Sequence, residues 1–276
     1  MEQWEVYRGK HGAPKNLAID EYLMEKVSEE DKKIMRVYDF EKPSVILARN
    51  ESFEDLKELN DDVEYTRRHT GGSVIYCDNN AVFYSIIMPS NTNEFPERLH
   101  RDFFGPKIAE TLNKIGVKDE KLGVGEHFSV RIEGKTVSGN SQRKKKDAVL
   151  YHGVLAIEKW DVDRLNELIR LREIEEKSEY DFIKSLPGIN EYTEEDVSKD
   201  ELEEALIDNF TGKNYKRKEL TDKDLSVIEN LVENKYGDEG WLKTGGNREI
   251  LKKNQGFCFV DWTDEWKEDI MDYGFY

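Results

Sequence analysis

The chain has 276 residues, enough to bury a substantial core in one large domain, and 37% of them are charged, giving a formal net charge of -17 at pH 7. This acidity disfavours a role for the whole protein in binding nucleic acid or anionic membranes, because both would repel it. The lack of a long apolar stretch or signal-peptide core, together with only two cysteines, Cys77 and Cys258, predicts a protein of the reducing cytoplasm.

The first half of the chain is predicted to form a sheet. Runs rich in β-branched and aromatic residues predict strands at 34–38, 45–48, 63–66, 73–76 and 82–88. From Pro96, apolar residues recur with helical spacing until Gly116, which predicts one helix. Three antiparallel strands are expected next, at 128–132, 135–141 and 149–157. They are joined by a Glu133-Gly134 turn and a charged loop at 143–147.

The second half is predicted to be helical, beginning with a helix at 161–169. Ser198 with Glu201, and Thr221 with Asp224, have the spacing of capping boxes, and apolar residues with a helical period follow each pair. We expect these helices to cover the sheet or to form a small cap. The acidic segment 191–204 is interpreted as a solvated helix face.

One short segment, RRHTGGSVIYCD at 67–78, indicates an anion-binding turn. It offers two arginines, then a glycine pair and a small hydroxyl residue before an apolar strand. Glycines allow backbone N–H groups to approach a phosphate. On spacing alone, Gly71-Gly72 is equally compatible with a hairpin turn, and neither GxGxxG nor GxxxxGK[ST] is present.

A second segment, GKTVSGNSQ at 134–142, presents a lysine at a tight turn. With their flanking residues, both segments resemble the lipoate-protein ligase A family. Its members show RRx(S/T)GGG, an apolar strand, HD and GN, and later a lysine, SG and HG. In this chain the third glycine is Ser73, the histidine is Cys77, and GN is Asn79-Asn80. Shorter likenesses at 16–21, 43–47 and 235–241 extend the resemblance over nearly the whole chain.

The resemblance implies an α+β fold of the biotin and lipoate ligase type, with a mixed or antiparallel sheet flanked by helices. The catalytic domain is expected over residues 1–241. The tail, 242–276, is too short for the accessory domain that full-length relatives often carry. Relatives without that domain can depend on a separate partner for activation, so an accessory subunit is a candidate partner.

The resemblance also implies an ATP-dependent, Mg²⁺-assisted ligase that forms lipoyl-AMP from lipoate. The lipoyl group would pass to a lysine of a lipoyl domain of 2-oxoacid dehydrogenase complexes or of the glycine-cleavage H protein. Adenylate formation brings two anions together, so the developing charge must be neutralised. Lys135 matches the family lysine and is the candidate catalytic cation, although a solvent-exposed turn lysine is the ordinary alternative.

The resemblance assigns further residues to ATP and lipoyl-AMP. They are Arg68, Gly71, Gly72, Ser73, Val74, Ile75, Tyr76, Lys135, Ser138 and Gly139. Arg68 is expected to hold phosphate bidentately, whereas Arg67 is open to a structural role. Asp78 is a candidate Mg²⁺ ligand or a turn-capping residue, and His152 matches the histidine of HG or is an ordinary hydrogen-bonded histidine.

An acyl chain needs an apolar slot, for which six residues are candidates that core packing explains equally well. They are Val74, Ile75, Val82, Phe83, Val149 and Leu155.

The main alternative function is lipoyl or octanoyl transfer without ATP, through a cysteine shortly before the lysine motif. Residues 121–132 contain no cysteine, and Cys77 is expected to be buried and inert. A biotin ligase is disfavoured because a GRGR loop is missing, and a non-enzymatic binding subunit is a third possibility.

The densest basic run, RKKK at 143–146, directly follows the lysine motif. Acceptor lipoyl domains of this family are commonly acidic, so the run is a candidate docking patch for them. A solvated hairpin tip is the alternative.

Overall fold

The computed structural model describes residues 3–30, 32–90, 96–125, 128–145, 147–170 and 187–246. The strands are β1 (Trp4–His11), β2 (Ile34–Phe40), β3 (Ser44–Leu47), β4 (Glu64–Arg67), β5 (Ile75–Cys77), β6 (Ala81–Pro89), β7 (Leu122–Gly125), β8 (Ser129–Ile132), β9 (Lys135–Lys145), β10 (Ala148–Ala156) and β11 (Tyr215–Lys218). The α-helices are α1 (Ala13–Glu30), α2 (Pro96–Leu99), α3 (Gly105–Lys114), α4 (Val162–Leu168), α5 (Lys199–Thr211), α6 (Asp222–Leu231) and α7 (Glu239–Thr244). Short 3₁₀ turns lie at Phe53–Asp55, Asp119–Lys121 and Ile189–Glu191, and π-helical turns at His100–Phe104 and Val232–Tyr236.

The strands form two sheets, one of eight strands in the order β11-β1-β2-β6-β10-β9-β8-β7 and one of three in the order β4-β3-β5. In the large sheet β1 pairs in parallel with β2 and β11, and the remaining neighbours are antiparallel. In the small sheet β3 is parallel to β4 and antiparallel to β5. The predicted α+β class, a mixed sheet flanked by helices, is confirmed.

Helices cover both faces of the large sheet. On one face, which we call the α3 face, Ile108 of α3 and Leu206 of α5 share a core cluster with Leu155 of β10. On the other, the α1 face, Leu17 of α1 and Val154 share a second cluster. Burial on both faces explains why the β10 sequence AVLYHGVLA is apolar almost throughout. A third, smaller cluster lies beneath the three-stranded sheet.

The predicted strands agree with β2–β6 and β8–β10 to within two residues at most ends. Both capping boxes are present, at Ser198 with Glu201 and at Thr221 with Asp224. None of the helices in the described part of the chain combines the length and the apolar character needed to span a bilayer.

Two local predictions need comment, one confirmed with a modification and one wrong. The helix expected from Pro96 runs without a break to Lys114, with a π-helical turn at His100–Phe104 between α2 and α3, because Leu99, Phe104 and Gly105 at the junctions all have αR dihedrals. The charged loop expected at 143–147 is mostly strand, since β9 continues to Lys145, which pairs with Ala148 of β10.

The predicted boundary between 241 and 242 falls inside α7, and Leu242 is buried in the third cluster. The rest of the predicted tail, 247–276, lies outside the described residues and includes Cys258. The division into a catalytic domain and a tail therefore stays a prediction.

Candidate active site around the glycine turn

Residues 68–74, which we call the glycine turn, join β4 to β5. The turn is fixed to β3, because the backbone N–H of Arg68 donates to the Leu47 carbonyl at 2.9 Å. It also lies against β9, where the Ser141 hydroxyl donates to the Gly71 carbonyl at 2.9 Å. Gly72 has φ +93°, a conformation that residues with a Cβ rarely adopt. The two sequence motifs are therefore in direct contact.

The two buried arginines where β4 meets the glycine turn donate to backbone carbonyls. Arg68 donates to Gly71 and Ser73, both at 2.7 Å, so it braces the turn from inside. Arg67 donates to several carbonyls, including those of Ala48 at 2.7 Å and Leu242 at 2.8 Å. Burial lowers the pKa of Arg67 to about 10 and also lowers that of Arg68. Both arginines have structural roles in this arrangement, and phosphate binding by Arg68 stays a prediction.

Glu51, which the sequence did not single out, binds the donors expected to face a phosphate. Its Oε1 accepts from the backbone N–H of Val74 at 2.6 Å and from the hydroxyl of Ser73 at 2.9 Å. Its Oε2 accepts from the N–H of Ala48 at 2.8 Å. The next two assigned residues, Ile75 and Tyr76, lie in β5 and pair with β3.

A chain of buried polar side chains connects α1 to the turn through β10. His152 lies between Asp20, 3.2 Å from its Nδ1, and Thr70, whose Oγ1 is 2.8 Å from its Nε2. Asp20 also accepts from Arg36 at 2.7 Å and from Ser85 at 2.7 Å. Burial alone would raise the pKa of Asp20, but Arg36 and the hydrogen bonds hold it below its usual value. With Nδ1–H donating to a carboxylate, Nε2 accepts the Thr70 hydroxyl hydrogen.

A second chain begins at Glu21, which accepts from Lys235 at 2.7 and 2.8 Å and from the Tyr236 hydroxyl at 2.8 Å. The same hydroxyl is hydrogen-bonded to Nδ1 of His69. Burial lowers the pKa of Lys235 to about 8 against the opposing charge of Glu21. Burial also lowers the pKa of His69 well below its usual value. On the other side of the turn, Arg143 of β9 donates to the His69 carbonyl at 2.9 Å.

Lys135 begins β9 and is exposed. It pairs with Ile132, whose side chain lies in the core of the α3 face. Directly opposed residues of antiparallel strands point to the same face, so the Cβ of Lys135 is directed away from the glycine turn. A register shift between Val130 and Arg131 produces this orientation and places Thr136 on the α1 face. The catalytic assignment of Lys135 stays a prediction that requires its long side chain to reach around the end of the sheet.

The other two assigned residues of β9 lie on opposite faces. Ser138 is buried on the α3 face, 3.4 Å from the Tyr84 hydroxyl. Gly139 pairs with Val154, whose side chain lies on the α1 face, and a Cβ built at Gly139 would meet only open space. Gly139 is therefore the one of the two that adjoins free volume on the turn side.

Asp78 caps its own turn. Its Oδ1 accepts from the N–H of Asn80 at 2.8 Å and its Oδ2 from the Asn80 side chain at 3.3 Å. Across the described ranges, no three His, Cys, Asp or Glu side chains are close enough together to hold a metal ion. Mg²⁺ in nucleotide sites is usually held by one or two carboxylates together with the substrate phosphates, so Mg²⁺ binding by Asp78 stays a prediction.

Comparison with known proteins identifies the family. The family model for the lipoyl protein ligase A/B catalytic domain matches residues 13–211. The chain belongs to this family. Lipoate--protein ligase 1 of Staphylococcus aureus (strain Mu50 / ATCC 700699) is 24% identical over 235 residues, with 82% of this chain and 68% of that protein covered. Octanoyltransferase LipM of Clostridioides difficile (strain 630) is 25% identical over 272 residues, with 88% and 99% covered.

The fold comparison agrees. A bi-partite lipoate protein ligase from Thermoplasma acidophilum, studied with its E2 lipoyl domain, superposes with a TM-score of 0.74 at 23% identity, covering 88% of this chain and 97% of that one. The predicted lipoate-ligase type of fold is confirmed. The chain is an enzyme of the lipoate ligase and octanoyltransferase family.

The six apolar residues suggested for an acyl slot of this lipoyl ligase family member lie in different clusters. Val82, Val149 and Leu155 belong to the core of the α3 face and Phe83 to that of the α1 face. Val74 and Ile75 are partly buried and pack against the third cluster and the cluster of the α1 face, respectively. The four buried residues contribute to core packing, and the acyl slot stays a prediction. Cys77 is buried, as expected, and burial raises the pKa of its thiol well above the usual value, which disfavours the reactive thiolate.

Proposed function

We propose that the protein is an ATP-dependent lipoate-protein ligase of the cytoplasm. The observation that carries the proposal is the contact between the two motifs, in which Ser141 and Arg143 of β9 each bind a carbonyl of the glycine turn at 2.9 Å. This contact brings the glycine turn beside β9, the strand that carries the lysine motif. An acid and a nucleotide phosphate can then be bound side by side.

In the first half-reaction, a lipoate carboxylate oxygen attacks the α-phosphorus of ATP, a P–O bond forms, and pyrophosphate leaves. The protein must neutralise the charge that develops where the two anions meet. Lys135 is the cation that the sequence proposes. Arg143 is a second candidate, although in the sequence it stands out only as part of the basic run at 143–146. It contacts the turn directly, and its planar guanidinium suits a carboxylate or a phosphate.

In the second half-reaction, the amine of an acceptor lysine attacks the acyl carbonyl of lipoyl-AMP. A C–N bond forms, AMP leaves, and the lysine loses a proton to solvent or to a group at the site. No covalent intermediate with the protein is required, which suits a site without an exposed thiol among the described residues.

The relatives named as octanoyltransferases make transfer without ATP the competing activity. That chemistry needs a reactive cysteine. Cys77 is buried, and burial raises its pKa. The segment before Lys135 has no cysteine, so the ligase is the better-supported reaction.

We propose that the acceptors are lipoyl domains of 2-oxoacid dehydrogenase complexes or the glycine-cleavage H protein. The bi-partite ligase from Thermoplasma acidophilum supports the further proposal that a separate accessory subunit assists the activation of lipoate. Such a partner would improve lipoyl-AMP formation more than lipoyl transfer.

The test is to incubate the purified protein with lipoate, Mg-ATP and an apo-lipoyl domain, and to weigh the acceptor by mass spectrometry. A reaction without ATP and one with an acceptor-lysine variant are the controls. We expect the lipoyl mass on the acceptor only in the complete mixture. Octanoyl transfer from acyl carrier protein without ATP would contradict the proposal, as would tight ligand binding without turnover on any acceptor.

A further inference from the structure

We propose that Glu51 is an internal competitor for the phosphate site of the glycine turn and thereby sets the affinity of the enzyme for its nucleotide. The inference rests on the proposed ATP-dependent function. Its basis is that a carboxylate of the chain already binds the donors that a phosphate would use.

The hydrogen bonds around Glu51 define the competition. The N–H of Val74 and the hydroxyl of Ser73 converge on one carboxylate oxygen, at 2.6 and 2.9 Å. Two donors that meet on one oxygen form an anion site of the kind that Gly-rich turns make for phosphates. A phosphate oxygen can take this position only after the carboxylate has left it.

The surrounding charge explains why a carboxylate is stable there. Glu51 lies near the buried guanidiniums of Arg67 and Arg68, and its charge opposes the burial that lowers both of their pKa values. Arg67 donates to the carbonyl of Glu51 itself at 2.7 Å, which fixes its backbone. The side chain is only half-buried, so the carboxylate can turn toward solvent while the backbone stays in place. A phosphate bound in its place would then interact with the positive charges of the two arginines.

A phosphate beside an ionised Glu51 would experience like-charge repulsion, whereas a phosphate beside a glutamine would not. Glutamine keeps one oxygen that can still accept from Val74 and Ser73, so it retains the contacts to the turn and gives up only the hydrogen bond from the Ala48 N–H. Alanine removes both the charge and the brace. These two variants separate competition from mechanical support.

The experiment is isothermal titration of the whole protein with pyrophosphate and with ATP, for the wild type, Glu51→Gln, Glu51→Ala and Glu54→Gln. Glu54 is exposed and three residues away, so Glu54→Gln removes the same charge without touching the turn. We expect Glu51→Gln to lower both dissociation constants by at least about fivefold. Glu54→Gln should match the wild type.

Wild-type affinities in Glu51→Gln, with weaker binding in Glu51→Ala, would overturn the inference and make Glu51 a brace only. No binding of pyrophosphate by any variant would also overturn it. The lipoyl-transfer assay decides the ligase proposal separately. If the wild type transfers lipoyl groups but Glu51→Gln binds pyrophosphate and ATP with wild-type affinity, only the competition is refuted. Tighter pyrophosphate binding by Glu51→Gln in a protein that moves no lipoyl group from lipoyl-AMP to the acceptor supports the competition and refutes the ligase.

Discussion

Asp20 and Glu21 are consecutive residues of α1, and each anchors a separate chain of buried hydrogen bonds that ends on the glycine turn. The chain from Asp20 passes through His152 to Thr70. The chain from Glu21 passes through the Tyr236 hydroxyl to His69. Two adjacent acids thus hold two adjacent turn residues. Because buried polar groups are costly when unpaired, removing any member should affect the turn as a unit.

Thr70→Val tests the first chain, because valine keeps the shape of threonine and removes its hydroxyl. Nε2 of His152 then loses its partner in a buried site, so we expect a loss of about 1–3 kcal/mol in the free energy of unfolding. Thr70→Ser restores the hydroxyl and should recover most of it. Urea denaturation measures the loss, and a Thr70→Val protein as stable as the wild type would show that the hydrogen bond contributes nothing.

The buried His69 predicts sensitivity of the fold to acid. Burial lowers the pKa of His69 in the folded protein, so below about pH 6.5 the unfolded chain binds a proton that the folded one does not. Stability should therefore fall with decreasing pH by up to about 1.4 kcal/mol per pH unit from this group alone. Asp20, whose folded pKa is depressed, contributes stability that is lost only at lower pH, below about 4.

We expect His69→Gln to flatten the pH dependence of the unfolding free energy between pH 7 and 5.5. Since the folded-state pKa values of His11 and His100 are also lowered, part of the slope should remain. The readout is urea denaturation at several pH values. An unchanged slope in a folded His69→Gln protein would mean that His69 is not the titrating group.

Arg143 and Lys135 compete for the role of the catalytic cation, and one assay separates them. Arg143→Gln removes the charge that contacts the turn, and loss of such a preorganised contact costs about 10²- to 10³-fold in rate. Lys135→Ala should cause a loss of the same size if the lysine reaches the site from the α3 face. The rate of lipoyl-AMP formation is measured for both, with Arg143→Lys as a charge-conserving control. Full activity in a folded Lys135→Ala protein would exclude the lysine, and full activity in Arg143→Gln would exclude the arginine.

The basic run is less free to dock a partner than its sequence indicates. Arg143 binds the turn, Lys145 is paired with Glu25 at 2.6 Å, and Lys146 lies outside the described residues. Lys144 pairs with Val149 of β10 near the hairpin tip and serves as the probe for its charge. Lys144→Glu should raise KM for an acidic acceptor domain, more at low than at high salt, without changing lipoyl-AMP synthesis.

The matched control for this prediction is Lys118→Glu, an equal change of charge at an exposed lysine between α3 and β7. It should leave KM for the acceptor unchanged. If both variants raise KM equally, the effect comes from net charge rather than from a local docking patch.

Much of the sheet and both motifs were predictable, because their signals are local. The β-branched runs of β2 to β6 and the capping boxes at Ser198 and Thr221 depend on residues close in sequence. The burial of Cys77 also followed from its place in an apolar strand. In each case neighbouring residues carried the necessary information.

The buried hydrogen bonds that hold the glycine turn in place were not predictable in the same way. Helix α1 buries Asn16, Asp20 and Glu21, and polar residues at core positions obscure the amphipathic pattern that identifies a helix. Glu51 precedes the turn by about twenty residues and has no local signature. The orientation of Lys135 depends on a register shift between β8 and β9, which only the paired strands reveal.

Transfer from chemically prepared lipoyl-AMP to an apo-lipoyl domain is the most direct test of the central claim, because it does not depend on whether an accessory subunit assists activation. We predict that the protein alone moves the lipoyl group from lipoyl-AMP to the acceptor lysine and releases AMP. A protein that leaves lipoyl-AMP intact, yet transfers octanoyl from acyl carrier protein to the same acceptor, would contradict the account.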